Sequence, residues 1–210
     1  MAGRGDAGSL SKLGVGERVL LPPPRERGGM SVEEAVARRR SVREFSPDAL
    51  GLGDVSQLLW CAQGVTSRDG LRAAPSAGAC YPLEVYLVCE HGLLHYQPKD
   101  HVVVKVSTAD VRRALADAAY GQSFIAQAPI SLVFAAVYRR TTGRYGDRGM
   151  RYVHIDVGHA AENVHLQAEA LGLASVAVGA FDDRAVADVL RLPADHEPIY
   201  IIPVGRRARG

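Results

Sequence analysis

The densest cationic segment of this 210-residue chain is ARRRSVREF, residues 37–45, in which four of nine residues are arginines. They are Arg38, Arg39, Arg40 and Arg43. The formal net charge of the whole chain is only +2, so this concentration of charge is local. A basic tag, a helix end, a nucleic-acid patch and a phosphate site all accumulate arginine in this way.

A phosphate site is the interpretation that the spacing favours. Alternate residues of an extended segment share one face, so Arg39, Ser41 and Arg43 would lie side by side. Two guanidinium groups and a hydroxyl suit a phosphate dianion, because arginine forms bidentate, charge-assisted hydrogen bonds. The alternative is a helix C-terminus, where cations complement the helix dipole. A nucleic-acid surface would need further basic stripes and an aromatic ladder, which the sequence lacks.

Other catalytic motifs are incomplete. The segment APSAG, residues 74–78, differs from the hydrolase elbow G-x-S-x-G at Ala74, so a serine hydrolase is not expected. His154, His159 and His165 follow one another at spacings of five and six, which do not place two ligands on one helical face. We therefore predict no metal site. No dinucleotide-binding G-x-G-x-x-G follows a strand, and no P-loop is present.

The elements that must position these residues alternate between helices and strands. A capping box, Ser31 to Glu34, predicts a helix that ends near residue 39 or 40. Apolar periodicity predicts further helices over residues 52–63, 109–119, 155–172 and 182–192. Runs rich in β-branched residues predict strands over 85–90, 93–98, 131–138, 174–181 and 198–205. This order predicts an α+β or three-layer α/β fold with one sheet.

Composition describes an ordinary globular domain preceded by an arm. Residues 1–30 are rich in Gly, Pro and Arg and predict a flexible or extended N-terminal arm, with one domain over 31–210. No run of 18 apolar residues predicts a membrane span, and the N-terminus lacks the apolar core of a signal peptide. Three cysteines without a C-x-x-C motif predict free thiols and a cytoplasmic location.

Several segments, in order, resemble one family. RRSVREF is similar to the opening motif of the nitroreductase-like flavoproteins, in which Arg-Arg/His-Ser-x-Arg/Lys-x-Phe binds flavin mononucleotide (FMN). APSAGACYPLEVYLV resembles the SagB-type, or thiazole/oxazole-oxidase-like, dehydrogenase branch, which has Pro-Ser-Ala-Gly followed by Tyr-Pro. The similarity extends over about residues 18–207 and includes LLWCAQG, GQSFIAQAPISLVF and DVGHAAENVHLQAEALGLASVAVGAFDD.

This resemblance implies a fold and a cofactor. The fold would be α+β, a nitroreductase-like three-layer α/β/α arrangement with a central mixed, mainly antiparallel sheet. The protein would be a homodimer with FMN at the subunit interface. NAD(P)H would serve as a transient electron donor that needs no separate dinucleotide-binding domain. The other partner would be a small-molecule or peptide substrate, and neither nucleic acid nor membrane is expected.

The resemblance also assigns cofactor-binding residues. Arg39, Arg40, Ser41 and Arg43 would hold the phosphate and the pyrimidine edge of the flavin. Pro75, Ser76, Ala77 and Gly78 would pack on the flavin from the other subunit, although these residue types are also those of a plain turn. Val178, Gly179 and Ala180 would form the loop whose amide faces flavin N5, and Gln122 and Phe124 would line the substrate face. Arg206, or else Arg207 or Arg209, would complete the phosphate site.

Arg144 and Tyr145 are the candidate catalytic residues. In azoline-oxidising relatives a Lys-Tyr pair near this point is implicated in catalysis, and here arginine takes the place of the lysine. Arginine stays protonated and cannot act as a general base. Tyr145 can donate or accept a proton. Two alternatives stay open: the pair corresponds instead to Arg151 and Tyr152, or the segment is a polar loop with a packed tyrosine.

The implied activity is ping-pong hydride transfer through FMN. The SagB-like loop favours dehydrogenation of a peptide-derived or heterocyclic metabolite. The alternatives are an NAD(P)H-dependent nitroaromatic or quinone reductase, and a non-enzymatic flavin-binding subunit of a modification complex. The arginine in place of the lysine argues against azoline oxidation, and retention of the full Arg-Arg-Ser-x-Arg set argues against loss of the flavin.

Overall fold

The computed structural model describes residues 8–208 of the chain. Its centre is one seven-stranded sheet in the order β1-β4-β3-β2-β5-β7-β6, in which every neighbouring pair is antiparallel. The strands are β1 Arg18–Leu20, β2 Leu83–Cys89, β3 Gly92–Gln97, β4 Val102–Ser107, β5 Ile130–Ala136, β6 Ala174–Ser175 and β7 Glu197–Gly205. One isolated bridge, Ser41 to Ser175, runs parallel. The prediction of a mainly antiparallel sheet is confirmed.

Helices cover both faces of this sheet. They are α1 Gly8–Ser11, α2 Val32–Arg38, α3 Leu52–Gln63, α4 Arg112–Ala118, α5 Ser123–Gln127, α6 Arg139–Tyr145, α7 Arg148–Ala170 and α8 Asp183–Leu190, with a short 3₁₀ turn at Ala77–Ala79. One apolar core joins α3 and α7 to the sheet, and a second joins α4, α5 and α8 to its other face. The predicted three-layer α/β/α arrangement is therefore confirmed.

The central strand explains the apolar run that the sequence shows at residues 131–138. All seven residues of β5 are buried, because β5 lies between β2 and β7 and is covered on both faces. A strand buried on both faces loses the alternation of polar and apolar residues. Strand β5 is therefore the centre of the core. The loops that carry the predicted site residues lie at its two ends.

The predicted N-terminal arm is partly incorporated in the fold. Residues 18–20 form β1, an edge strand that pairs with β4. Further upstream, the ammonium group of Lys105, whose residue is 1% exposed, donates hydrogen bonds to the carbonyls of Leu10 (2.9 Å) and His91 (2.5 Å). A buried lysine requires such acceptors, since an unpaired buried charge is costly. The arm is thus ordered at these points, whereas residues 1–7 lie outside the described residues.

Two elements differ in length from their predictions. Helix α7 begins at Arg148, seven residues before the predicted start, because the polar segment that precedes the apolar face is also helical. The strand predicted over 174–181 is regular only at β6, and then continues as a single bridge between Val178 and Ile201. No helix within residues 8–208 combines the length and the apolar character that a membrane crossing needs.

Candidate functional site

The arginine segment is extended and held at both ends by backbone pairing. Helix α2 ends at Arg38, and its predicted capping box is present. Beyond the helix, Ser41 pairs in parallel with Ser175, and Phe45 pairs with Arg207. Phe45 is buried, so it anchors the segment against the sheet. The segment therefore lies between β6 and the residues that follow β7, which brings it beside the predicted Arg206.

The charges of this segment are unbalanced. Within residues 8–208, Arg38 pairs with Glu34 (3.4 Å) and Arg207 with Glu169 (3.3 Å). Arg39, Arg40 and Arg43 of the segment, and Arg206 beside it, have no carboxylate within 4 Å in the part of the chain that the structure describes. Clustered guanidinium groups without acidic partners beside a serine hydroxyl are the donor set that a phosphate group prefers.

Arg40 differs from the other members of this set. Its Nη1 donates hydrogen bonds to the carbonyls of Ala37 (3.1 Å) and Arg39 (2.7 Å), at the C-terminal end of α2. This is the helix-end interpretation that the sequence left open. Arg43 instead lies with its guanidinium carbon 5.8 Å from the ring centroid of Phe124, on the neighbouring helix α5. The Nη1 of Arg40 therefore already has hydrogen-bond acceptors at the end of α2, and a role of Arg40 in ligand binding stays a prediction.

A buried histidine is hydrogen-bonded to Ser175, the residue that pairs with Ser41 of the arginine segment. His165 of α7 shares a hydrogen bond between its Nδ1 and the hydroxyl of Ser175 at 2.7 Å. Burial lowers the pKa of His165, and the nearby charge of Arg39 acts in the same direction. The backbone carbonyl of Ser175 accepts the N–H of Val42 at 3.1 Å. Sequence reasoning treated His165 only as a possible metal ligand and missed this positioning contact.

The second predicted group, Val178 to Ala180, contacts the predicted Gln122. The side-chain amide of Gln122 donates hydrogen bonds to the carbonyls of Ala119 and Ala180, both at 2.9 Å. Val178 is buried, whereas Gly179 and Ala180 are exposed. The amide of Gln122 therefore fixes the loop where it leaves the sheet, so the two predicted features lie together.

The third predicted group, Pro75 to Gly78, is fastened to helix α7 by a carboxylate. The hydroxyl of Ser76 donates to Asp156 Oδ2 at 2.7 Å, and the N–H of Ala77 donates to Asp156 Oδ1 at 3.3 Å. The same hydroxyl accepts the N–H of Tyr81 at 3.0 Å. Asp156 is only 4% exposed. Sequence reasoning missed Asp156, although a carboxylate on the apolar face of a helix was an available signal.

The candidate catalytic pair lies against this same loop. Arg144 Nη1 donates to the carbonyl of Gly78 at 3.2 Å. The rings of Tyr145 and Tyr152 are perpendicular, with centroids 5.2 Å apart. The structure therefore joins the predicted pair to the predicted loop, and it also brings Tyr152, from the alternative alignment, into contact with Tyr145.

Helix α6, which carries Arg144, is tied to the sheet by an ion pair between the exposed Arg140 and the largely buried Glu84. Arg140 Nη2 contacts Glu84 Oε1 at 2.5 Å, and Glu84 Oε2 shares a hydrogen bond with His95 Nε2 at 2.7 Å. Burial alone would raise the pKa of Glu84, but the hydrogen bonds from His95 and Arg140 outweigh burial and lower it to about 2. Glu84 thus holds α6 in place only while it is ionised.

We expect Glu84→Gln to remove an acid-sensitive part of the stability. Because the pKa of Glu84 is depressed in the folded state, its contribution is present above about pH 4.5 and is lost as the pH falls toward 2. The variant should lose about 2 kcal/mol of unfolding free energy at pH 7, and the difference from the parent should shrink at pH 3. Urea unfolding at both values measures this. Exposed Glu26→Gln is the control, and an equal deficit at both pH values would contradict the prediction.

The arginine segment and the Gly78 loop lie at opposite ends of the sheet. Ile130, where β5 begins, pairs with Val204, which nearly adjoins Arg206. At the other end, Ala136 pairs with Leu83, which follows the Gly78 loop. Seven strand residues span about 20 Å. In one chain, the arginine segment and the Gly78 loop, the two halves of the predicted site, therefore lie at opposite ends of the strands.

The fold is that of the nitroreductases, which are oxidoreductases. A family model described as "Nitroreductase family" matches residues 36–206, and the chain belongs to that family. Proteins of the family typically bind FMN, use NAD(P)H and form homodimers. The resemblance that the sequence motifs indicate is thereby confirmed at the level of the family.

Individual relatives agree with this assignment. MJ1384 of Methanocaldococcus jannaschii, which is named as a nitroreductase, is 45% identical over 201 residues, covering 93% of this chain and 99% of the relative. A crystal structure from Ralstonia eutropha JMP134, also described as a nitroreductase, has a TM-score of 0.85 at 32% identity and covers 94% of this chain and 93% of its own. The microcin B17-processing protein McbC of Escherichia coli is 26% identical over 132 residues, which span 58% of this chain and 48% of McbC.

Proposed function

We propose that the chain is an FMN-dependent oxidoreductase. The observation that carries this proposal is the set of arginines without carboxylate partners beside Ser41. Arg39, Arg43 and Arg206 would bind the dianionic phosphate of FMN, and the hydroxyl of Ser41 would add a further donor. The chemistry of this donor set fits the cofactor that is typical of the family.

The residues of the chain supply binding, orientation and electrostatics. When bound, FMN accepts a hydride from one substrate and passes it to a second, which is ping-pong transfer. The arginine segment would hold the phosphate, while the exposed backbone at Gly179 and Ala180 offers amides to the ring system. A cation near the pyrimidine edge stabilises negative charge there. The small residues of the Pro75 to Gly78 loop allow backbone to approach a flat ring closely.

We infer that two copies of the chain share each site. The arginine segment and the Gly78 loop lie at opposite edges of one sheet, about 20 Å apart along the central strand. A two-fold axis would bring the loop of one copy beside the arginines of its partner. The apolar side chains Val32 and Val36, one turn apart on α2, are 69% and 57% exposed, which supports a covering partner.

The side chains at Gly78 favour reduction of an acceptor, with NAD(P)H as the electron donor. Arg144, which is hydrogen-bonded to Gly78, cannot remove a proton, whereas Tyr145 can donate one. A nitroaromatic compound or a quinone is the corresponding acceptor class, and the name of MJ1384 agrees with it. The second candidate is dehydrogenation of a peptide-derived or heterocyclic metabolite. The Pro-Ser-Ala-Gly loop and the similarity to McbC support that alternative and the SagB-type branch.

The visible absorption spectrum of the purified protein tests the proposed function. We expect a flavin spectrum, FMN as the compound released by heat, and bleaching on anaerobic addition of NADH or NADPH. Bleaching only by an oxidisable heterocycle would favour the dehydrogenase. A bound flavin that no donor reduces would favour a non-enzymatic flavin-binding subunit. A colourless protein that takes up no added FMN would overturn the proposal.

Gly78→Ala should impair turnover more than stability. Gly78 has a φ of +58°, and an added Cβ would meet Tyr145 Oη and, at 2.8 Å, Arg144 Nη1. Both are ends of flexible side chains that can move away, so the unfolding free energy should fall by only about 1 kcal/mol. Their displacement should lower kcat/KM on the order of tenfold.

Gly70→Ala is the matched control for Gly78→Ala. Gly70 has a φ of +80° but has open space around its Cβ position. It should show a similar loss in urea unfolding and unchanged kcat/KM. Equal kcat/KM in both variants would show that the positions of Arg144 and Tyr145 do not matter for turnover.

A further inference from the structure

A cationic and aromatic surface adjoins the Gly78 loop. Residues 139–151 contain five arginines and a single acidic residue, Asp147. Arg139 pairs with Asp195 and Arg140 with Glu84. In the part of the chain that the structure describes, the other three have no carboxylate within 4 Å. We call these three and the two adjacent tyrosines the arginine–tyrosine rim: Arg144, Tyr145, Arg148, Arg151 and Tyr152.

Four members of the rim are organised by ring contacts, and Arg151 lies one helical turn after Arg148 on α7. The Tyr145 and Tyr152 rings meet edge to face, with an interplanar angle of 88°. The guanidinium carbon of Arg144 is 5.4 Å from the Tyr145 centroid, and that of Arg148 is 5.9 Å from the Tyr152 centroid. Arginine stacked on an aromatic ring keeps its N–H donors directed outward for a carboxylate. The rim thus presents planar surfaces and fixed positive charge together.

The rim is attached to the loop that is proposed to cover the flavin. The hydrogen bond from Arg144 to the Gly78 carbonyl makes the connection, and Arg148 follows at the start of α7, beyond the break at Gly146 that separates α6 from α7. The Arg140–Glu84 pair fixes the preceding turn on the sheet. Because the rim and the Gly78 loop are joined, a substrate that approached the ring system along this loop would meet the positive charge and the rings of the rim.

We propose that the rim selects a planar acceptor that carries a carboxylate: an aromatic or heteroaromatic acid. The inference rests on the proposed function, because it takes the Gly78 loop to lie against the flavin. Arg148 and Arg151 bind the carboxylate, and the tyrosine rings contact the ring of the substrate. Arg144 serves as a positioning residue between the rim and the loop. An uncharged analogue of equal size, such as an amide, carries no negative charge and only one acceptor oxygen, so it cannot form the bidentate ion pair and binds more weakly.

The test uses two acceptors that differ only in charge, 4-nitrobenzoate and 4-nitrobenzamide. Calorimetric titration of the purified protein should give about tenfold tighter binding of the acid at low salt. The double variant R148Q/R151Q should reduce this ratio to about one, because it should weaken binding of the acid far more than binding of the amide. Arg113→Gln is the control for net charge, since Arg113 is an exposed residue of α4 that pairs with Asp117. It should keep the parental ratio.

The outcomes separate this inference from the proposed function. Equal binding of acid and amide by a protein that holds FMN and reduces both would overturn the rim and leave the oxidoreductase intact. A preference for the acid that survives in R148Q/R151Q would overturn the assignment to these residues. The rim is complete within one chain, so titration also applies to a protein that takes up no flavin. There, a preference that is lost in R148Q/R151Q would support the rim although the proposed function has failed, and equal binding would overturn it.

Discussion

Arg43→Ala is expected to weaken FMN binding by about 30- to 100-fold while changing the unfolding free energy by less than about 1 kcal/mol. The guanidinium of Arg43 is exposed and its described contact is the ring of Phe124, so folding depends little on it. Toward a phosphate dianion the same group supplies a bidentate, charge-assisted pair of hydrogen bonds. The expected loss therefore concerns the ligand rather than the fold.

Two further variants make this result specific. Arg38→Ala removes a neighbouring charge that pairs with Glu34 one turn away, and it should keep the parental affinity. Arg43→Lys retains the charge without the planar fork and should lie between Arg43→Ala and the parent. Fluorescence titration of flavin-free protein with FMN measures affinity, and urea unfolding measures stability. Equal affinity of Arg43→Ala and the parent would sink the assignment of Arg43.

The parts of the fold that the sequence predicts well are those set by local chemistry. The Ser31 capping box is visible as a serine followed three residues later by Glu34, and it occurs as predicted. The apolar run of β5 identifies the central strand for the same reason. Gly64 is the C-cap of α3, yet its φ is −62° rather than left-handed. Its lack of a side chain is required instead by the ring of Trp60, which lies where a Cβ would be.

The contacts that sequence reasoning missed join distant parts of the chain. Ser76 and Asp156 are 80 residues apart, and Lys105 and Leu10 are 95 apart. Nothing in the local sequence of a helix reveals which loop its buried carboxylate meets, since that pairing depends on the packing of α7 against the sheet. The motif resemblance supplied the loop and the arginines as separate fragments. Their placement at opposite ends of the strands follows only from the order and register of the strands.

The Arg144–Tyr145 pair shows how sequence and structure combine. The sequence established that arginine replaces a possible base, which is a statement of chemistry. The structure adds that Arg144 is hydrogen-bonded to Gly78 and neighbours Arg148 and Tyr152, which is a statement of position. Neither alone distinguishes a solvated basic loop from a substrate rim. Together they support one hypothesis: the arginine at position 144 cannot act as a base, and it belongs instead to an anion-binding surface, the arginine–tyrosine rim.

Asp156→Ala should both destabilise the protein and release the Gly78 loop. The buried carboxylate accepts hydrogen bonds from the Ser76 hydroxyl and the Ala77 N–H, and its removal leaves these donors without an acceptor. The loss of hydrogen bonds to a charged group costs about 2–3 kcal/mol. Exposed Asp147→Ala, at the start of the same helix, should cost less than about 0.5 kcal/mol. Urea unfolding compares the two.

The conservative change Asp156→Asn tests whether hydrogen bonding by residue 156, without its charge, is enough to hold the loop. Asparagine keeps an oxygen for the Ala77 N–H and offers an amide N–H to Ser76, whose hydroxyl already accepts the N–H of Tyr81. Its unfolding free energy should therefore recover toward that of the parent. If Asp156 acts by positioning the loop that covers the flavin, FMN affinity should fall at least tenfold in the alanine variant and recover in parallel with stability in the asparagine variant. Unchanged FMN affinity in a destabilised Asp156→Ala protein would restrict the carboxylate to folding, and would remove the Gly78 loop from the flavin site.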